Sequence, residues 1–250
     1  MIPMAENTTK TIALALPGET FSSVWLAGFI EVLANLWAAG YSVKPFLGYS
    51  SNVYATRARV LESIVEFDET VMPVDLALWL DDDNTLTWPQ LQALLNDLEE
   101  NPELDAVAGW TWVAADGYAS TAIPSCGNFA HGGHKSAPLD LRYLGSVDGA
   151  APAGPDLIRV QYTGFPAVLF NWPSLRALHG LKPFSPYPAE GLELGFMGED
   201  TGFWKRAQHA GIRLAVDRRV KVPHYKLRDV QPVMVNSPQV SVIDNEPVTT

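Results

Sequence analysis

Three aspartates stand in a row, Asp81, Asp82 and Asp83, directly after an apolar run in L-W-L-D-D-D-N. Like charges side by side repel, and packing them against a core costs free energy. Either they lie in water as a polar turn, or a cation sits among them. Oxygen-rich carboxylate sites suit hard divalent cations such as Mg²⁺ or Mn²⁺. At a strand end, Asp81 and Asp83 point to one side and Asp82 to the other. One pair can then hold a metal that bridges a diphosphate, while the middle residue contacts something else.

A second constellation is Gly198-Glu199-Asp200, at the start of a helical pattern. Carboxylates in a first helical turn are held ionised by the helix dipole. Such residues serve as plain caps, and an ionised one can also take a proton from an acceptor hydroxyl as that oxygen attacks. A third is Val222-Pro223-His224; neutral imidazole beside two carboxylates makes a Mn²⁺ set, and a lone histidine after a strand is also a common structural residue. A fourth is Arg57 in A-T-R-A-R-V-L. On a helix it shares a face with Leu61 and Ile64 and reaches inward, toward phosphate or nucleobase. Arg59, roughly 200° away, reads as a surface residue. His131 and His134 in H-G-G-H have no third and fourth ligand nearby, so they read as part of a glycine loop. Trp110 and Trp112 share one side of a strand, where they pack a core or stack on a sugar. No phosphate-binding P-loop, dinucleotide fingerprint or G-x-S-x-G elbow occurs.

The elements that must position these residues alternate. Thr11 to Leu16 reads as a buried strand broken by Pro17-Gly18-Glu19, and Ser22 or Ser23 caps a helix that runs to Ala39 and stops at Gly40. Tyr41 to Leu47 is a second strand, Tyr54 to Phe67 a second helix, and Leu76 to Leu80 a third strand. Thr87 and Gln90 form a capping box with Pro89 in the first turn, opening a helix whose inner face is Leu91, Leu94, Leu95 and Leu98. Leu104 to Trp112 is a fourth strand. Such alternation marks a mostly parallel α/β sheet, in which ligands sit beyond the carboxyl ends of the strands. Glu19, Tyr49 and the aspartates fall at that edge. Residues 114–157 are rich in Gly, Pro, Ala and Ser and read as a long functional or disordered loop. Regular structure returns at Leu157 to Tyr162, a helix starts near Pro173, and another runs from Glu199 to Ala210 with Phe203, Trp204, Ala207 and Ala210 inward and Gly211 as its stop. The tail after Pro232 carries no signal.

The 250 residues, 47% hydrophobic and 18% charged, suit one domain. The single Cys126 excludes an internal disulfide and a multi-cysteine zinc site, and fits a reducing cytoplasm. The N-terminus lacks a signal-peptide pattern, and Val24 to Ala39, interrupted by Glu31 and Asn35, is too short and polar to span a bilayer. A net charge of −11 argues against broad nucleic-acid binding. Yet eight of the 17 Lys and Arg residues lie between Lys205 and Arg228, opposed there by Asp217 alone. That span is either a solvated face or a surface for a phosphate-bearing ligand.

In order along the chain come strand-P-G-E, A-T-R-A-R-V-L, L-W-L-D-D-D-N, V-Q-Y-T-G-F-P-A-V-L-F, G-E-D-T-G-F-W-K-R-A-Q-H-A-G-I-R-L-A-V-D and V-P-H-Y-K. This order resembles the GT-A superfamily of nucleotide-sugar-dependent glycosyltransferases, most closely its family-two-like branch, over roughly residues 11–226. The resemblance implies a single GT-A (Rossmann-like) domain over residues 1–232, a mostly parallel sheet flanked by helices. Residues 11–112 would bind the nucleotide sugar, 113–232 would form the acceptor side, and 233–250 a tail. It implies that Asp81 and Asp83 end a D-x-D motif and share a Mn²⁺ or Mg²⁺ ion with His224. Asp200, preceded by Glu199, would be the catalytic base. Pro17, Gly18, Glu19, Tyr49, Arg57, Asp81 and Asp82 would serve the nucleotide-sugar donor, and Gly164, Phe165 and Trp110 the acceptor side. The expected activity is transfer of a sugar from a nucleoside-diphosphate sugar to an acceptor hydroxyl, with inversion; the acceptor is a glycan, a small molecule or a hydroxylated base in DNA. Ala58 stands where the family often has Asn. A sugar nucleotidyltransferase and a non-catalytic sugar- or nucleic-acid-binding module are the alternatives.

Overall fold

A computed structural model describes residues 9–111, 121–122, 156–188 and 195–225. The expectations for Trp112, Cys126, His131, His134, nearly all of segment 114–157 and the tail lie outside the described residues.

The first half alternates as its sequence pattern requires. Strand β1 (Thr11–Pro17) leads to α1 (Ser23–Ala38), β2 (Ser42–Gly48), α2 (Val53–Thr70), β3 (Leu76–Trp79), α3 (Trp88–Glu100) and β4 (Ala106–Trp110). The caps are the expected ones: the Ser22 side chain accepts from Trp25 N–H at 3.1 Å, Gly40 turns at φ +87°, and Thr87 with Gln90 closes a capping box. β4 is shorter than its apolar run, because Leu104 belongs to a turn in which its N–H donates to Asn101 O at 2.8 Å.

Then come β5 (Thr121–Ala122), β6 (Leu157–Val160), β7 (Tyr162–Thr163), β8 (Val168–Asn171), α4 (Trp172–Leu178), a short 3₁₀ turn (His179–Leu181), β9 (Tyr187–Pro188), β10 (Phe196–Met197), α5 (Glu199–His209) and β11 (Leu214–Lys221). The run Leu157 to Tyr162 is therefore not one strand. It divides at Gln161 into β6, in the main sheet, and β7, which pairs with β5. Ala210, expected to point inward, is the exposed C-cap of α5; Gly211 beside it turns at φ +82°.

The main sheet has seven strands in the order β2-β1-β3-β8-β4-β11-β6. β1 runs parallel to β2 and β3, and β4 runs parallel to β11. β8 is antiparallel to both β3 and β4, and β6 is antiparallel to β11. Five strands thus share one direction, the mostly parallel sheet expected. Alternation along β1 sends Ile12, Leu14 and Leu16 to one face, with α1 and α3, and Ala13 and Ala15 to the other, with α2, α4 and α5. Helices on both faces bury the sheet. They also bring the amino end of α2 to the carboxyl ends of the parallel strands, where α5 opens as well.

Candidate active site

The aspartates do not continue β3. That strand stops at Trp79, and Asp81 to Asn84 form a turn in which Asn84 N–H donates to Asp81 O at 3.2 Å. The up-and-down alternation expected of a strand end is corrected accordingly: a turn lets each carboxylate face a different partner. The turn is pinned from below, since Trp25 Nε1–H donates to Asp81 O at 3.1 Å and Leu80 N–H to Ala15 O at 3.0 Å.

Asp81 faces α2. Arg57 Nη2 donates to both its oxygens, at 3.0 and 2.9 Å. The Arg57 Nη1 atom lies 3.6 Å from Glu199 Oε1 in the first turn of α5. The guanidinium also stacks 4.6 Å above the Phe165 ring. Arg57 is 5% exposed, so it is the inward arginine of its helix, while Arg59 is exposed as expected. Burial opposes its charge, but Asp81, Glu199 and Asp200 more than offset this and raise its pKa. The Asp81 carboxyl is pushed up to about 6, mainly by burial and further by Asp83, against the pull of Arg57.

Asp82 faces β1. A Cβ placed on Gly18 would lie 2.4 Å from Asp82 Cβ and 2.5 Å from its Oδ2. Glycine is what lets this carboxylate settle over the strand end. Burial and Asp83 raise the Asp82 pKa, and a hydrogen bond from the Glu19 backbone opposes them. Gly18 N–H donates to Gly48 O at 2.9 Å, which ties the two strand ends together. The exposed Tyr49 hydroxyl bonds the Glu19 side chain, so its pKa is raised. Pro17, Gly18, Glu19, Tyr49 and Asp82 thus form one corner of the site.

Asp83 faces the chain after β11. Its Oδ2 lies 2.8 Å from His224 Nε2, and its carbonyl accepts from Tyr225 N–H at 2.6 Å. Asn84 and His224 form an isolated antiparallel bridge, and the Asn84 side chain donates to Pro223 O at 3.2 Å. A carboxylate oxygen and an imidazole nitrogen in contact are a donor pair suited to Mn²⁺ or Mg²⁺. Asp81, read as their companion, has turned both oxygens to Arg57. Among the described residues no group of three His, Cys, Asp or Glu side chains is arranged to hold a metal.

Asp200 sits beside Glu199 at the opening of α5. Its Oδ2 accepts from the Tyr162 hydroxyl at 2.8 Å and its Oδ1 from Thr201 N–H at 2.7 Å. Burial, then Asp200, raises the Tyr162 pKa, so this phenol stays a donor. Tyr54 donates to Met197 O at 3.3 Å; burial, then Glu199 and Asp200, raises its pKa. Neither tyrosine was singled out from sequence. Nothing in their spacing links position 54 or 162 to 200; only the paired strands and helix ends do. Tyr54 also lines a cavity of about 610 Å³ that opens between Ala58, Leu61, Pro183 and Phe184.

The acceptor-side residues are placed differently. Gly164 and Phe165 are buried, and the Phe165 ring is the floor under Arg57. Trp110 is 3% exposed: its indole N–H donates to Arg218 O at 2.8 Å and Lys221 Nζ lies 5.4 Å over its ring. It packs the core and is not brought to the charged cluster.

Among the described residues of the basic span, four arginines are engaged within the molecule. Arg213 pairs with Asp105 at 2.9 Å, Arg218 with Asp156 at 3.4 Å, and Arg219 with both Asp217 at 2.8 Å and Asp97 at 2.9 Å. Arg206 donates to the carbonyls of Ser185 and Pro186 at 2.8 and 3.0 Å. Among the described residues, no helix is long and apolar enough to cross a membrane.

No family model and no curated protein matches the chain. Solved structures similar to it include A197 from STIV, at 12% identity and a TM-score of 0.46, over 92% of this chain and 100% of that one. The catalytic domain of Drosophila β1,4-galactosyltransferase 7, in complex with xylobiose, is 16% identical with a TM-score of 0.45, over 91% of this chain and 77% of that one. A glycosyltransferase involved in glycosylation of the major capsid of PBCV-1 is 12% identical with a TM-score of 0.42, over 83% and 80%. Two of these three are glycosyltransferases by name, the class the sequence resembles.

Proposed function

We propose that this chain transfers a sugar from a nucleoside-diphosphate sugar to an acceptor hydroxyl, with inversion, using a divalent metal. The observation that carries this reading is the meeting of Asp81, Asp82, Asp83, Glu199 and Asp200 with one buried cation, Arg57, and one imidazole, His224, at a single sheet edge. Among the described residues, six carboxylates, Glu19 included, against one guanidinium make this edge strongly negative. A diphosphate would be repelled from it unless a divalent cation came too.

Asp83 and His224 are the residues that would hold the metal. When bound, it neutralises the diphosphate and stabilises it as a leaving group. Asp81 is assigned to keeping Arg57 in place. The Gly18–Asp82 corner with Glu19 and Tyr49 receives the nucleotide. Asp200 is the general base: its oxygens, held by Tyr162 and Thr201, keep lone pairs for a further proton. As the acceptor oxygen bonds to the anomeric carbon, its proton passes to Asp200. The bond from that carbon to the diphosphate breaks, and the electron pair leaves with the phosphate oxygen.

Thermal-shift titration of the purified chain with nucleoside diphosphates and nucleotide sugars, with and without Mn²⁺, tests this. Binding raises apparent stability by mass action. One nucleotide class should raise the Tm with Mn²⁺ present, and Asp83→Ala should remove that rise while leaving the unliganded Tm nearly unchanged. A folded chain that, with Mn²⁺, neither binds nor hydrolyses any nucleotide sugar refutes the proposal.

A further inference from the structure

We infer that the cavity between α2 and the segment after α4 is a binding site for a small, flat aromatic molecule. That segment runs back along α2. At one end Arg176 pairs with Asp68 at 3.2 Å and Glu69 at 3.0 Å. At the other, the Tyr54 ring meets that of Phe196 at 6.4 Å, and Phe196 is the strand partner of Pro188. Between these two fastenings the walls part and leave about 610 Å³, within the range of small-molecule sites. The hollow exists because α2 presents Ala55 and Ala58 to Pro183 and Phe184, and two alanines fall short of the facing wall. Protein interiors are otherwise filled to crystal-like density.

The facing wall is held in shape. Arg206 of α5 has no carboxylate partner among the described residues. Its guanidinium instead donates to the carbonyls of Pro183 at 3.3 Å, Ser185 at 2.8 Å and Pro186 at 3.0 Å, and lies 5.0 Å from the centre of the Tyr187 ring. A ligand therefore meets a wall already in place and loses little affinity to ordering it.

The chemistry of the walls selects the occupant. Pro183 and Pro186 have no N–H. The Ser185 N–H and hydroxyl both donate to Lys182 O, at 3.0 and 2.7 Å. With three carbonyls on Arg206, only the Phe184 peptide group between 183 and 186 is left over by these bonds. Opposite, the α2 backbone is bonded within its helix, and Ala55, Ala58 and Leu61 offer alkyl groups alone. A sugar, a nucleotide or a peptide needs hydrogen-bond partners along its length, and here its polar groups would be buried unpaired. A flat apolar ring has none to lose and gains contact with Leu61, Pro183 and Phe184. Polar substituents of the ligand belong at the rim, where Glu62, His179 and Lys182 stand without an ion-pair partner among the described residues. Tyr54 lines the same cavity while its hydroxyl holds Met197 O, so one tyrosine is shared with the approach to α5. Binding here is independent of sugar transfer: a chain that fails to bind any nucleotide sugar would still bind the arene.

Fluorescence titration of the purified full chain with N-phenyl-1-naphthylamine, an uncharged arene, tests this. The wild type should bind one molecule per chain, saturably. Ala58→Trp, which sets an indole in the hollow, should weaken binding about tenfold or more. Ala58→Leu, a milder filling that a helix accepts, should weaken it about threefold, both with unchanged far-UV circular dichroism. Ile30→Asp, at an exposed position on α1, should leave the affinity unchanged. A wild type without saturable binding overturns the inference, as does binding indifferent to both Ala58 variants. Loss of binding in Ile30→Asp would also overturn it, by placing the probe on α1. Displacement of the probe by a nucleoside monophosphate or a disaccharide, and not by 1-naphthol, would refute the aromatic occupant.

Discussion

Arg57 carries more of the site's electrostatics than any carboxylate around it. It is buried, it holds Asp81 through two hydrogen bonds and it stands 3.6 Å from Glu199. Replacing it with methionine keeps the packing on Phe165 but leaves Asp81 and Glu199 without a counter-charge. Breaking a fully buried pair costs about 3–5 kcal/mol. Both carboxylates here are about a quarter exposed, so we expect a loss of about 2 kcal/mol, read from the urea midpoint of Arg57→Met at constant m-value. Tyr162 donates to Asp200, so under the proposed mechanism it is a positioning residue for the base. Tyr162→Phe should lower kcat about tenfold and leave the donor KM within about twofold, whereas Asp200→Asn should cost about 10³-fold in kcat. Equal losses from both variants, or a Tyr162→Phe effect confined to KM, would contradict the positioning role. Asp83, Asp200 and His224 stand out in the sequence by residue type and surroundings, and the fold does set Asp83 against His224. Tyr54 and Tyr162 do not stand out, because a tyrosine becomes a positioning residue only through what the fold places against its hydroxyl.

Helix α3 and strand β11 are joined by a clamp that sequence did not announce. Asp97 and the fully buried Asp217 face each other across the contact, and Arg219 bonds both. Burial first, and then the neighbouring Asp217, push the Asp97 carboxyl from 3.8 up to about 7, while Arg219 opposes them. The folded state therefore holds a proton that the unfolded chain releases at lower pH. For a raised pKa the stabilising contribution is complete below the unfolded value and is lost as pH rises through the folded value. The Tm should fall between pH 5 and pH 8, and Asp97→Asn, which keeps a hydrogen-bonding group without the charge, should flatten that slope; an unchanged slope would move the effect elsewhere. The elements themselves were legible wherever the chain punctuates them, as at Ser22, Gly40, the Thr87–Gln90 box and Gly211. Strand β8 was not. Val168–Asn171 is a four-residue run without alternation, since a central strand buried on both faces has no polar side to show.

Across the whole molecule, that unread strand decides how the chain holds together. β8 lies between β3 and β4 and pairs with both, Leu78 with Leu169 on one side and Val107 with Leu169 on the other. A later segment thus fills the centre of the sheet between two strands from the first 110 residues, and β11, later still, pairs with the other side of β4. Asp81–Asp83 and Arg57 on one side, and α5 with Glu199 and Asp200 on the other, are positioned by one shared sheet. The N-terminal segment alone, cut after Thr111, would lose β11 and β8 together. β3 and β4 would each present an unpaired apolar edge, an arrangement that invites association with other chains. The buried Val168, Leu169 and Phe170 would leave a gap between the two core faces. We expect the full chain to unfold in one cooperative transition, by circular dichroism and tryptophan fluorescence alike. Fragment 1–111 should show no cooperative transition and should aggregate, and adding back residues 112–250 should restore folded signal if the strands can still pair in trans. A fragment 1–111 that stays monomeric and melts sharply would mean that the N-terminal half stands without β8, and that the sheet order alone does not bind the two halves into one folding unit.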